Sequence, residues 1–452
     1  MHFYKHILSV LAGLALANFS TIEAKDVFCH YMVGTVDSST NHAQLDIQQA
    51  AAMGFSAFAL NVGAPTASWC QSTVEQLFNY ANSNNFKLFF SLDLGQDSTL
   101  TDFTSLIQQY INNSAYYKAG PNNDPFLSTY SAGSTSPSEW ASFKSSLGTN
   151  VYFVPDFDQV NGYYTDINGF FSTWGSTVDG VYSWETAWPV AQSSPANVST
   201  DADQYVQAGT QASKKSYMIP LSSLQYKHLG SGTNYYRVGE VNLPQRMTEI
   251  LELGKTSGTV APDFVEVITW NDAGESHYIG NLWAEGIPAN ELAYANQTGW
   301  PHSGWQPVIT SFIDAYKNGD DASSMAPPSG STAVGAMWYR TIWMNATCAS
   351  DPYGKPTGWQ AAKDAVNFAV VVATGQTGLS IRVTSGGNVL QTIPVSPGLN
   401  YGSVPGMQLG SQKVELISSS GSVVLTANSA IDVTADTTTG ICNFNYQVAG
   451  LQ

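Results

Sequence analysis

The sequence predicts an α/β fold, a (β/α)8 TIM-type barrel followed by a C-terminal β-sandwich. Three observations predict it. Eight short apolar, β-branched or aromatic runs recur across residues 27–271. Stretches with helical period separate them. After about residue 320 the helix signals nearly vanish, and short alternating runs between Gly, Ser and Asn turns replace them.

The strand-like runs are 27–34, 57–63, 87–94, 126–131, 151–157, 180–188, 217–221 and 264–271. Helices are expected at 41–53, 73–81, 100–111, 137–147, 247–253 and 308–316. The first carries Leu45, Ile47, Ala50, Ala51 and Met53 and stops at Gly54. The third places Phe103, Leu106, Ile107, Tyr110 and Ile111 on one face. The fourth opens with Ser136-Pro137-Ser138-Glu139, an N-terminal capping signature. An open doubly wound sheet is the runner-up, but no Gly-x-Gly-x-x-Gly opens a helix after the first strand.

The expected organisation is a signal peptide over 1–24, a barrel over 25–322, a Ser/Pro/Gly-rich linker over 323–332 and a β-sandwich over 333–452. His2, Lys5 and His6 precede an apolar run over 7–17. Small-x-small cleavage candidates end at Ala17 and Ala24. The sandwich runs are 336–344, 365–373, 379–383, 413–417 and 423–425. No later segment reaches the ~18 uninterrupted apolar residues of a membrane span, so the expectation is a soluble secreted protein, monomeric by default.

Composition narrows the function. Of 452 residues, 43% are hydrophobic, enough for a sizeable core, and only 11% are charged, so Ser, Thr, Asn and Gly must carry solubility. The net charge of −17 argues against nucleic acid and anionic membranes as partners. A weakly charged, aromatic-rich chain suits neutral polar ligands. The cysteines fit an oxidising compartment. Three connectivities are open, and the local pairing, Cys29 with Cys70 and Cys348 with Cys442, puts one staple in each half. No close Cys pair or His-Glu-x-x-His motif suggests a metal, and no cofactor motif is present. Asn-x-Ser/Thr sequons at Asn112, Asn197, Asn296 and Asn345 are candidate glycosylation sites.

Barrel chemistry sits at the C-terminal ends of strands. The acids there are Asp93, Asp156, Asp158, Glu185, Asp272 and Glu275, most of them bordered by aromatics. Carboxylates among Trp and Tyr are what glycoside hydrolysis needs, one to protonate the leaving oxygen and one to activate water or attack the sugar. Asp272 and Glu275 lie three apart, with Gly274 allowing a sharp turn. The same spacing also reads as an Asp-x-x-Glu capping box. His30 and His277 are single histidines that read as packed or sugar-contacting groups.

At these residues the chain resembles glycoside hydrolase family 71, the fungal α-1,3-glucanases (mutanases). The segments that carry the resemblance include Ser91-Leu92-Asp93, Val154-Pro155-Asp156-Phe157, Ser183-Trp184-Glu185 and Thr269-Trp270-Asn271-Asp272-Ala273-Gly274-Glu275-Ser276. The resemblance implies endo-acting, inverting hydrolysis of α-1,3-glucan. It maps the paired acids onto Asp272 and Glu275 and a third functional Asp onto Asp93. Asp272 is then expected as base and Glu275 as acid, the reverse remaining open. As the acid, Glu275 needs a raised pKa.

His30, Asn61, Asp156, Tyr182, Trp184, Glu185, Trp270 and Asn271 are candidates for lining the sugar cleft, with Trp184 and Trp270 as stacking platforms. Glu185 also reads as a structural acid. Some family members carry a further carbohydrate-binding module; none is visible here, so tight binding to insoluble glucan is not expected. Two competing readings are an α-glucan hydrolase of other linkage preference and a non-catalytic glucan-binding wall protein.

Overall fold

The computed structural model describes residues 25–95, 98–131, 134–189, 197–437 and 439–452. The expected signal peptide lies outside the described residues.

All eight predicted runs form parallel strands. They are β1 (Asp26–Met32), β2 (Ala57–Val62), β3 (Lys87–Asp93), β4 (Asp124–Tyr130), β5 (Tyr152–Phe153), β6 (Gly180–Tyr182), β7 (Ser216–Ser222) and β8 (Phe264–Ile268). The order across the curled sheet is β5-β4-β3-β2-β1-β8-β7-β6, and a two-residue strand, Lys118–Ala119, adds antiparallel to β4. Its two ends approach each other: Asp156, after β5, bridges Tyr182 of β6 in parallel sense, and Tyr182 N donates to Pro155 O at 2.9 Å. β5 and β6 are shorter than their apolar runs because Pro155 has no N–H for the ladder and the chain after Tyr182 turns into a 3-10 segment, Glu185–Ala187.

Helices follow the strands: α1 (His42–Ala52), α2 (Ser68–Ser83), α3 (Leu100–Tyr110), α4 (Pro137–Ser146), α5 (Ile167–Trp174), α6 (Asp201–Ala212), α7 (Asn242–Glu252) and α8 (Gln306–Asn318). Capping boxes open α3 at Thr99/Asp102 and α4 at Ser136/Glu139, each box contributing about 1 kcal/mol. The periodicity reading misses α5 and α6. Gly209 interrupts the pattern of α6, but a Cβ there would meet Ile167 Cγ1 at 2.3 Å, so the glycine is what lets α6 approach α5.

Side chains alternate along a strand, which sorts the inner face into layers. Phe28, Phe89, Phe126 and Phe264 form a lower aromatic layer, with Phe28 4.9 Å from Phe89 and 5.5 Å from Phe264 between ring centres. Two residues further on stand His30, Ser91, Ser128 and Glu266, all buried. Two further again, β3 and β4 end in Asp93 and Tyr130. The interior therefore changes from apolar to polar toward the C-terminal strand ends.

The C-terminal region is antiparallel. β9 (Ala333–Arg340), β10 (Ala365–Val372), β11 (Leu379–Ser385), β12 (Asn388–Val395), β13 (Gly398–Pro405), β14 (Gln412–Ile417), β15 (Val423–Asn428) and β16 (Tyr446–Gly450) make two sheets, ordered β13-β10-β9-β16 and β12-β11-β14-β15. Met337, Phe368 and Val370 of the first sheet and Ile381, Val383 and Leu416 of the second share one buried cluster. β12 escapes the sequence reading because it is an edge strand, mostly exposed and interrupted by Pro394. The region is fused to the parallel sheet: Trp338 Nε1 donates to Glu240 O at 2.9 Å, and His302 bridges the carbonyls of Tyr278 and Tyr446.

One expected staple forms, Cys348–Cys442. The other does not: Cys29 and Cys70 are free buried thiols. Cys29 lies mid-strand in β1. The first turn of α2 packs beyond the end of that strand, with Trp69 against Gly34 and Thr73 reaching Val36 O.

Candidate active site

The segment after β8 is a closed turn, not a helix. Thr269 N donates to His277 O, Ile279 N to Thr269 O and Gly280 N to Trp270 O, so the chain folds back on itself within ten residues. Tyr294 Oη fastens the turn by donating to Gly274 O at 2.8 Å. Asp272 Oδ1 accepts from Glu275 N at 3.0 Å, while Asp272 N donates to Thr269 Oγ1 at 2.9 Å. Half of a capping box is thus present, but Glu275 does not reach back and no helix follows. Its carboxylate points elsewhere.

Glu275 Oε1 accepts from Lys227 Nζ at 2.7 Å, and Oε2 accepts from Gln225 Nε2 at 2.6 Å. His277 Nε2 lies 3.2 Å from Glu275 Oε2 and 3.9 Å from Asp272 Oδ2. Those two oxygens are therefore at most about 7 Å apart, a bound that admits both the ~5 Å carboxyl spacing of retaining enzymes and the lower edge of the ~6.5–9.5 Å inverting range.

The charges differ between the two acids. Burial raises the pKa of Asp272, and the Glu275 anion adds to it against His277 and Lys227. Burial acts on Glu275 too, but the His277 and Lys227 contacts outweigh it and hold this carboxyl well below the usual range. The expectation of a raised Glu275 pKa is overturned in the unliganded site: the missing ingredient was a cation and an imidazole on the carboxylate.

Asp93, at the end of β3, is buried, which raises its pKa; Gly95 N, His30 and Asn61 oppose that rise. Tyr130 lies within electrostatic reach of Glu275, Asp156, Asp93 and Asp272. His30 Nδ1 sits 2.6 Å from Glu266 Oε1, a buried acid that the sequence reading passed over. His30 Nε2 and Tyr182 Oη are buried and have no hydrogen-bond partner among the described residues, so neither atom faces an open cleft.

Residues 23–452 match the family described as glycosyl hydrolase family 71. The chain belongs to that family. It is 30% identical over 413 residues to a glucan endo-1,3-alpha-glucosidase of Schizosaccharomyces pombe, covering 88% of each chain. It is 28% identical over 399 residues to an ascus wall endo-1,3-alpha-glucanase of the same organism, covering 84% of this chain and 86% of the relative. A mutanase of Penicillium rubens is 28% identical over 442 residues, covering 95% of this chain and 90% of the relative.

In this family 71 glycoside hydrolase several expected cleft residues do other work. Trp270 is fully buried against Phe55 and Phe58 and cannot stack on a sugar. Asn271 spends its amide on Met32 N, Met32 O and Thr35 Oγ1, tying the end of β8 to the end of β1. Trp184 is 5% exposed and walled by His30, Tyr130 and His277, so it shapes the cleft wall rather than offering an open face. Asp156 is buried and raised above the usual range by burial and by Asp158. Glu185 is paired with Arg237 at 2.6 Å near the surface. Asn112, Asn197 and Asn345 are exposed; Asn296 is half-buried, its Nδ2 donating to Leu292 O.

Sequence reasoning missed Lys227, Gln225, Glu266 and Tyr130 as site residues. The signal for the first two was the alternation Gln225-Tyr226-Lys227-His228, which on a strand puts Gln225 and Lys227 on one face. Among the described residues no helix is long and apolar enough to cross a membrane.

Proposed function

We propose that this protein is a secreted endo-1,3-α-glucanase that hydrolyses fungal wall α-1,3-glucan with inversion. Asp272 and Glu275 carry the acid and base work. Asp93 holds the reactive sugar, with Asn61 beside it, and the buried His30 and Tyr182 stand behind them. The observation that carries the reading is the closed turn that sets Asp272 and Glu275 around one His277 nitrogen. The names of the relatives support the linkage, which the geometry alone does not select.

In the first assignment Asp272 is the base and Glu275 the acid. Glu275 then carries its proton in the substrate complex, with His277 Nε2 3.2 Å from its carboxylate. The free-site charges favour the second assignment, in which Glu275 is the base and Asp272 the acid. The supporting scaffold is a closed (β/α)8 barrel, its ring completed by the Asp156–Tyr182 bridge, followed through residues 323–332 by a β-sandwich. The molecule acts as a monomer, with glycans at the exposed Asn112, Asn197 and Asn345.

The test is product release from α-1,3-glucan and α-1,4-glucan by the purified mature protein. Oligosaccharides from the α-1,3 polymer alone are expected. Cleavage of the α-1,4 polymer instead would keep the carboxylates and overturn the substrate. Binding without release from either would point to a wall-binding protein.

A further inference from the structure

The hairpin formed by Gln225–His228 and Asn234–Arg237 stands between the catalytic turn and the C-terminal region. On one side Gln225 and Lys227 hold the Glu275 carboxylate, and Tyr226 N donates to Glu275 O at 3.0 Å. On the other side the hairpin is gripped by residues around the Cys348–Cys442 bridge. Asp351 is the centre of that grip. Its side chain is fully buried, and its Oδ2 accepts from Cys442 N at 2.5 Å and lies 3.3 Å from His228 Nε2. Its Oδ1 accepts from Tyr353 N and Gly354 N. The carbonyls of those two residues in turn accept from Asn234 Nδ2. Tyr226 Oη donates to Cys442 O at 3.0 Å, and Thr357 exchanges backbone bonds with Asn234 and Tyr236.

A two-stranded hairpin has little stability of its own in water. Its position is therefore set by what packs on both sides. We infer that Asp351, in the C-terminal region, is a positioning residue for Glu275 that acts through this hairpin and Lys227. The inference rests on the proposed role of Glu275. It gives the C-terminal region a part in catalysis: it fixes the donors that set the carboxylate's place and charge. Misplacing a reacting group by about 1 Å can cost ~10²-fold in rate, so a loosened hairpin is read in turnover rather than in substrate affinity.

The test is a cycle of Asp351→Asn, Lys227→Met and both together in the full chain, with hydrogen exchange alongside. Asp351→Asn is expected to lower kcat ~10-fold or more with KM within about two-fold, and to change kcat less than about two-fold once Lys227 is already Met. Exchange over residues 225–237 is expected to speed up while that of β1–β4 does not. Tyr226→Phe, which removes only the bond to Cys442 O, is expected to speed the same exchange and carries the test if Asp351→Asn fails to fold. Equal kcat losses in both backgrounds, or unchanged hairpin exchange, would overturn the inference. A wild-type protein that cleaves no α-1,3-glucan would overturn the proposed function instead, and the exchange comparison would still decide the hairpin.

Discussion

Nζ of Lys227 lies 2.7 Å from Oε1 of Glu275, and the two residues stand 48 positions apart in sequence. The contact belongs to the fold, not to a local motif, and it sets the charge of a proposed catalytic group. Lys227→Met removes a cation that holds the Glu275 carboxyl low, so its pKa rises. The limb of the kcat/KM profile governed by Glu275 is expected to move up by about one pH unit. Movement of the alkaline limb assigns Glu275 as acid; movement of the acidic limb assigns it as base. A profile unmoved on both limbs would remove Glu275 from either role.

Glu275→Gln and Asp272→Asn are each expected to lower turnover on α-1,3-glucan by about 10²–10⁴-fold, the range for loss of acid–base help. Thermal unfolding beside the kinetics checks that the fold is intact.

Trp270 fills the space behind the site rather than the site itself. Trp270→Ala is expected to cost about 3–5 kcal/mol of stability, with unchanged affinity for α-1,3-oligosaccharides in the folded fraction. Denaturant unfolding and calorimetry separate the two effects. Weakened binding at unchanged stability would restore the stacking role.

His302 is a buried imidazole between two carbonyls, and burial pulls its pKa from 6.5 down to about 4. The unfolded chain takes the proton first as pH falls. The stability it contributes is present above about 6.5 and is lost between there and about 4, in full about 3 kcal/mol. Urea unfolding at several pH values checks the slope, and His302→Gln is expected to flatten it.

Thiol counting tests the disulfide correction. The folded protein is expected to show no reactive thiol, and the unreduced, unfolded chain two, Cys29 and Cys70. Burial pushes Cys70 up to about 11, so it is protonated as well as hidden. No thiol after unfolding would mean the second bridge forms.

The parallel strands were legible in the sequence because each is a compact apolar run bounded by turn residues. The Asp272/Glu275 pair was legible because Gly274 and the adjoining strand mark a sharp turn. Their electrostatics were not, because the groups that set them, Lys227 and Gln225, come from a hairpin that only tertiary structure brings near. Trp270 and Asn271 misled for a related reason: sequence adjacency to a candidate acid does not say which face of the strand end a side chain takes. Cys29 lies mid-strand in β1 and Cys70 in the first turn of α2, and their spacing in the sequence does not say which part of β1 that turn meets.

The most direct test follows the anomer of fresh product by NMR as the mature protein cleaves α-1,3-glucan, beside Asp272→Asn. β-Anomer is expected first, slowly mutarotating, and is expected to be lost in the variant. Fresh α-anomer would contradict inversion, and undiminished release by Asp272→Asn would contradict the site.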